Sequence, residues 1–125
     1  MIPGKLYSTQ RSGNHAERIA EKFLASNGLT LIARNYRCRF GEIDLVMQDR
    51  ETTVFVEVRL RQTQRDNDFG GAAASIGPGK QARIIAAAQH YLAGMRHQPP
   101  CRFDAVLLNQ LSAAKIEWIK DAFSA

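Results

Sequence analysis

A chain of 125 residues with a formal net charge of +5 is sized for one domain with its own hydrophobic core. No apolar stretch approaches the roughly 20 residues of a membrane-spanning helix, and Met1 to Leu6 lack the apolar core of a signal peptide. Cys38 and Cys101 have neither metal-ligand nor redox spacing, which excludes a disulfide framework and reads as two free thiols in a cytoplasmic protein. Residues 1–12 are polar, with Gly and Pro, and read as a loose lead-in to a single domain over 13–125. From Gly13 to Asn27 the apolar positions Ala16, Ile19, Ala20, Phe23 and Leu24 recur at helical spacing, and Gly28 is a natural stop. Leu29 to Tyr36 reads as a strand and Phe40-Gly41 as a turn. Glu42 to Gln48 and Thr53 to Arg61 read as two more strands, joined into a hairpin by the tight turn at Asp49 to Thr52. Residues 62–79 are polar, rich in Gly and Ala and without a period, as in a long loop. A second helix is expected over Gly79–Met95, with Ile84, Ala88, Tyr91, Leu92 and Met95 on one face. Pro99-Pro100 break the chain before two last strands, Arg102–Leu108 and Lys115–Ile119, and Cys101 beside the first of them reads as packing. The order α-β-β-β-α-β-β predicts an α/β fold with a mixed sheet flanked by helices.

Two of these strands carry acids where a buried strand should be apolar. Asp44 lies in Glu42-Ile43-Asp44-Leu45-Val46-Met47, and Glu57 in Val54-Phe55-Val56-Glu57-Val58-Arg59. A lone carboxylate in apolar surroundings costs several kcal/mol unless it is paired, protonated or bound to a metal. Alternation places Glu57 and Arg59 on one face of their strand and Val54, Val56 and Val58 on the other. The hairpin brings Asp44 to the same face, near Glu57. A divalent cation relieves the repulsion of two such acids, and magnesium needs only one or two protein carboxylates, with a backbone carbonyl such as that of Val58 completing the shell. His and Cys are absent from the segment, which argues against zinc. Asp followed by Glu-x-base on adjacent strands is the layout of a metal-dependent phosphodiesterase, and the ionic alternative pairs the acids with Arg59 and Arg61. Glu17 is a third candidate acid, because helical spacing sets it against Ala20 and Glu21 and gives it no basic partner.

The basic residues bracket the acids. Arg34, Arg37 and Arg39 precede the first acidic strand, Arg59, Arg61 and Arg65 follow the second, and Lys80 and Arg83 open the later helix. That distribution suits a phosphate-bearing partner, and a solvated arginine face is the plainer account. Ile76 to Gln81 resembles a phosphate loop but lacks its first glycine and the Ser or Thr after Lys80. Lys80 at a helix start can still meet a phosphate. His15, His90 and His97 are scattered and form no ligand pair.

Gly41-Glu42-Ile43-Asp44-Leu45-Val46, Val54 through Arg61, Lys80-Gln81, Cys101-Arg102-Phe103-Asp104 and Arg34-Asn35-Tyr36-Arg37 together resemble the YraN family, also called UPF0102. The likeness runs from Glu17 to near the C-terminus. It implies a restriction-endonuclease-like fold, similar to archaeal Holliday junction resolvases, with a PD-(D/E)xK-type site made of Asp44, Glu57, the base at 59 and the helix acid Glu17. The resemblance also suggests a homodimer, since junction resolvases act in pairs. The motif usually carries Lys where this chain has Arg59, and arginine stays charged, so Arg59 cannot act as a general base.

The sequence is therefore read as a nuclease-like protein that binds nucleic acid, DNA before RNA, branched or single-stranded, and hydrolyses phosphodiester bonds. Asp44 and Glu57 are expected to hold Mg²⁺ or Mn²⁺, and Glu17 a second metal or its water. Arg59 is expected to face the scissile phosphate. Arg37, Arg39, Arg61, Lys80 and Arg83 are expected to position the backbone. The alternatives are a non-catalytic nucleic-acid binder on the same fold, and an interaction module whose ionic network is structural.

Overall fold

Ala16, Ala20 and Leu24, four residues apart, give one face of the first helix a stripe with almost no solvent contact. The computed structural model describes the backbone of residues 4–61, 76–109 and 116–125, and side chains over 14–60, 76–109 and 116–125. Helix α1 spans Gly4–Ser26. It begins well before Gly13, where a loose lead-in was expected. Each added residue brings a backbone hydrogen bond once a helix is nucleated, so a polar run without proline can extend it. The helix stops at Gly28, whose φ of 97° suits glycine. The Gly28 amide donates to the Ala25 carbonyl and the Leu29 amide to Leu24, while Leu24 and Leu29 share one apolar cluster. These are the bonds and the apolar contact of a Schellman stop.

Among the described residues five strands follow: β1 (Thr30–Cys38), β2 (Gly41–Asp49), β3 (Thr52–Arg61), β4 (Cys101–Asn109) and β5 (Ile116–Phe123), with α2 (Pro78–Ala93) between β3 and β4. All lie in one mixed sheet in chain order; β3 and β4 are parallel and every other pair antiparallel. The fold is thus the α/β arrangement with element order α-β-β-β-α-β-β. Strand β5 runs further than the sequence suggested, to Phe123, which stacks on Phe103. Cys101 is exposed at the start of β4, not packed as expected. The expected loop over 62–79 lies outside the described residues as far as 75.

Two apolar clusters, one on each face, hold the sheet between the helices. On the α1 side are Leu45, Met47, Val54, Val56, Val106 and Leu108. On the α2 side Ile84, Ala87, Ala88 and Leu92 meet Ile43, Val46, Phe55, Phe103, Ala105 and Leu107. One buried acid, Asp104, has no solvent contact at all. It accepts bonds from Arg102 Nε, Trp118 Nε1 and the Asp121 amide, and Arg102 also reaches Asp49 at 2.9 Å. These bonds tie β5 and the β2–β3 turn to β4. A groove of about 690 Å³ opens beside this network, far from the acids of interest.

The β1–β2 turn rests on α2. A Cβ at Gly41 would stand 2.9 Å from the Arg83 carbonyl oxygen. Replacing Gly41 with Ala should therefore overpack the contact and cost about 1–3 kcal/mol, read as a lower denaturant midpoint at unchanged m-value.

Candidate functional site

The sheet comes apart where the acids lie. The β2–β3 ladder runs from Asp49↔Thr52 to Leu45↔Val56 and ends there. Beyond it β2 stays with β1 as far as Cys38↔Gly41, and β3 stays with β4 as far as Arg61↔Asn109. Strand β2 also loses its alternation at this point. Ile43 belongs to the cluster under α2, whereas Leu45, two residues on, belongs to the one under α1. Asp44 sits at the change of parity, and its Oδ2 accepts the Val58 amide at 2.8 Å. A side chain thus takes over from the ladder where the strands diverge. The sequence reading brought Asp44 and Glu57 together on one face of a paired hairpin. They do meet, but in the gap between parting strands.

A cleft of about 330 Å³ at the gap is lined by Glu17, Asp44, Glu57, Val58, Arg59 and Lys80. Asp44 makes hydrogen-bonding contact with both Glu17 and Glu57. Glu57 is only 5% exposed. Burial first, then the Asp44 charge, pushes its carboxyl up to about 8, against the pull of Lys80 and Arg59. Burial and Asp44 likewise raise Glu17 to about 7, with Glu42 adding to the effect and a hydrogen bond from Asn35 opposing it. Glu17 and Glu57 thus both face the Asp44 carboxylate, one from α1 and one from β3.

The cations come from two directions. Lys80 Nζ, from the first turn of α2, stands 3.6 Å from Glu57 Oε2, and Arg59, from β3, stands 3.9 Å from the same oxygen. Sequence reasoning gave Lys80 to the nucleic-acid backbone; in the structure its ammonium stands beside Glu57. Among the described residues no three His, Cys, Asp or Glu side chains form a ready-made chelating group. The acids touch pairwise through Asp44, so the donor set that fits a hard cation is two carboxylates, as magnesium tolerates.

The expected basic bracket divides. Arg37, Arg39 and Arg83 line a second cleft, of about 360 Å³, at the β1–β2 turn. Arg37 pairs there with Glu42 at 3.2 Å. Arg34 is committed to Glu21 through two bonds of 2.7 and 3.0 Å. Arg65 and the side chain of Arg61 fall outside the described residues. Asn35 was missed as a site residue. An asparagine inside a run read as a strand was the available signal, and its backbone takes a φ of 53°, a conformation that asparagine tolerates.

No helix among the described residues is long and apolar enough to cross a membrane. The family model described as "Uncharacterised protein family UPF0102" matches residues 16–108. A UPF0102 protein of Nitrosospira multiformis is 57% identical over 111 residues, covering 89% of this chain and 91% of its own. One from Nitrosomonas europaea is 54% identical over 116 residues, covering 93% and 96%. One from Psychromonas ingrahamii is 46% identical over 122 residues, covering 98% and 97%.

Proposed function

Because the chain belongs to the uncharacterised protein family UPF0102, whose name assigns no activity, we propose its function from the acidic cleft: divalent-metal-dependent hydrolysis of phosphodiester bonds in nucleic acid. One observation carries the reading. Three acids meet in a half-buried gap, and two of them, Glu17 and Glu57, are pushed up to about 7 and about 8 by burial and by Asp44. A purely structural network pairs its acids with bases; here Glu57 has Lys80 and Arg59 beside it, yet Asp44 is set against both Glu17 and Glu57. Asp44 and Glu57 are the residues that would hold Mg²⁺ or Mn²⁺. When bound, such a cation lowers the pKa of its water and neutralises phosphate charge.

The other groups act on the substrate. Arg59 and Lys80 set positive charge beside Glu57 in the cleft, where a phosphate would gather negative charge on its oxygens. Lys80 thereby supplies from α2 the ammonium that the nuclease motif usually carries in place of Arg59. Glu17, with its carboxyl raised to about 7, is poised to take or give a proton near neutral pH. DNA comes before RNA as the substrate. A cytoplasmic setting suits the free Cys38 and Cys101, and a pair of copies would be needed to cut two strands together. Cleavage assays on branched, single-stranded and duplex substrates with Mg²⁺ or Mn²⁺, on protein purified by two independent routes, test the reading. Binding without cleavage by any divalent ion would leave the non-catalytic alternative.

The raised acids also set a pH dependence. Between the ordinary carboxylate value of 4.5 and about 8 the folded chain holds more protons at Glu17 and Glu57 than the unfolded chain does. Stability of the metal-free protein therefore falls as pH rises through that window. Its melting temperature should be lower at pH 8 than at pH 6, and Mg²⁺ or Mn²⁺ should recover more of it at pH 8. A flat profile would show that the acids do not strain the fold.

A further inference from the structure

Phe40 is 42% exposed at the tip of a two-residue hairpin loop, Arg39-Phe40, between Cys38 and Gly41. Such loops favour Asn, Asp and Gly, so turn chemistry does not account for a large ring here. Core packing does not account for it either. Tyr36, Cys38 and Tyr91 pack against the α2-side cluster, whereas Phe40 is, with Ile32, one of the exposed large hydrophobics among the described residues. The ring is nonetheless held in place. The Arg39 guanidinium lies 4.9 Å from its centroid and the His90 ring 5.9 Å from it. His90 is fixed in turn by a hydrogen bond between its Nδ1 and the Tyr36 hydroxyl. Arg37, Arg39 and Arg83 line the same cleft as the ring, and Glu42, the one acid among the described lining residues, is already paired with Arg37.

Resting on the nucleic-acid reading of the acidic cleft, we propose that Phe40 and its arginine rim form a stacking platform for an unpaired base, so that the substrate is a strand with unpaired bases beside the cut. A duplex hides its base faces, whereas an unpaired base offers one to an aromatic ring, with arginines taking the flanking phosphates. Phe40 stands one residue ahead of β2 and four residues before Asp44, at most about 13 Å at strand rise. A strand seated on Phe40 therefore leads to the acids within a short reach. Three arginines in the cleft, one of them over the ring, favour this occupant over a second copy of a chain that is itself basic.

The test is fluorescence anisotropy in EDTA with labelled oligothymidylate, a forked duplex and a blunt duplex. The parent is compared with Phe40→Ala and Phe40→Trp, each checked by its melting curve. Phe40→Ala should bind oligothymidylate and fork about tenfold more weakly, leave blunt duplex within about twofold, and keep the salt slope, because the ring carries no charge. Phe40→Trp should restore the lost affinity. Equal losses on all three probes, or no loss, would overturn the platform while leaving the nucleic-acid reading in place. A change in oligomeric state by light scattering in Phe40→Ala would assign the ring to a contact between copies and overturn it too. A parent that binds none of the probes would remove the nucleic-acid reading, and the platform with it.

Discussion

Asp44→Asn should abolish metal-dependent cleavage and at the same time make the metal-free protein more heat-stable at pH 8. Asparagine keeps an oxygen that can accept the Val58 amide, so the bond at the parting strands survives. What goes is the negative charge that both Glu17 and Glu57 face. Relieved of it, both acids ionise more readily in the fold, and the decline in stability toward pH 8 flattens. The same change removes the carboxylate common to both contacts. Loss of cleavage on the order of 10³-fold or more is expected, as when a central member of a catalytic set is removed. The paired readout, cleavage rate and melting temperature at pH 6 and 8, separates a catalytic acid from a structural one. If Asp44 merely held the fold, activity and stability would fall together.

Lys80→Ala is expected to carry the next largest effect. Lys80 is nearer to Glu57 than Arg59 is, 3.6 Å against 3.9 Å. Losing one preorganised stabilising charge typically lowers the rate by about 10²–10³-fold. Lys80→Arg should retain most of the activity, because a positive charge remains and no proton transfer is asked of it. Arg59→Lys should behave likewise, and Arg59→Ala should resemble Lys80→Ala. Lys80 also holds the Glu57 carboxyl down, so Lys80→Ala should raise it further and steepen the loss of metal-free stability toward pH 8. Parent-like cleavage by Lys80→Ala would return this residue to the role of a distant phosphate contact.

Where chemistry is local, the sequence was readable. Gly28 ends α1 because only the adjoining residues decide a Schellman stop. The β2–β3 turn and the alternation of Val54, Phe55 and Val56 followed from neighbours in the chain. The acids stood out because an apolar strand has no ordinary use for Asp44 or Glu57. Other features depend on how distant elements dock. Lys80 faces Glu57 only because α2 crosses over the sheet between β3 and β4, which spacing cannot convey. The change of parity at Asp44 is set by the divergence of β2 from β3, and a strict period of two hides it. The early start of α1 was missed because a polar helix leaves no apolar period to count.

The Val58 amide ties the backbone to the state of the cleft. Its proton is held by Asp44 Oδ2, at the place where a strand partner would otherwise be. A hydrogen bond to an ionised carboxylate is shorter and stronger than one to a neutral acceptor. Drawing the Asp44 charge toward a cation changes what that single amide experiences. Its chemical shift and exchange rate therefore act as a built-in gauge of occupancy. The gauge can be read by NMR on the unlabelled cleft, with no substrate present and no turnover required.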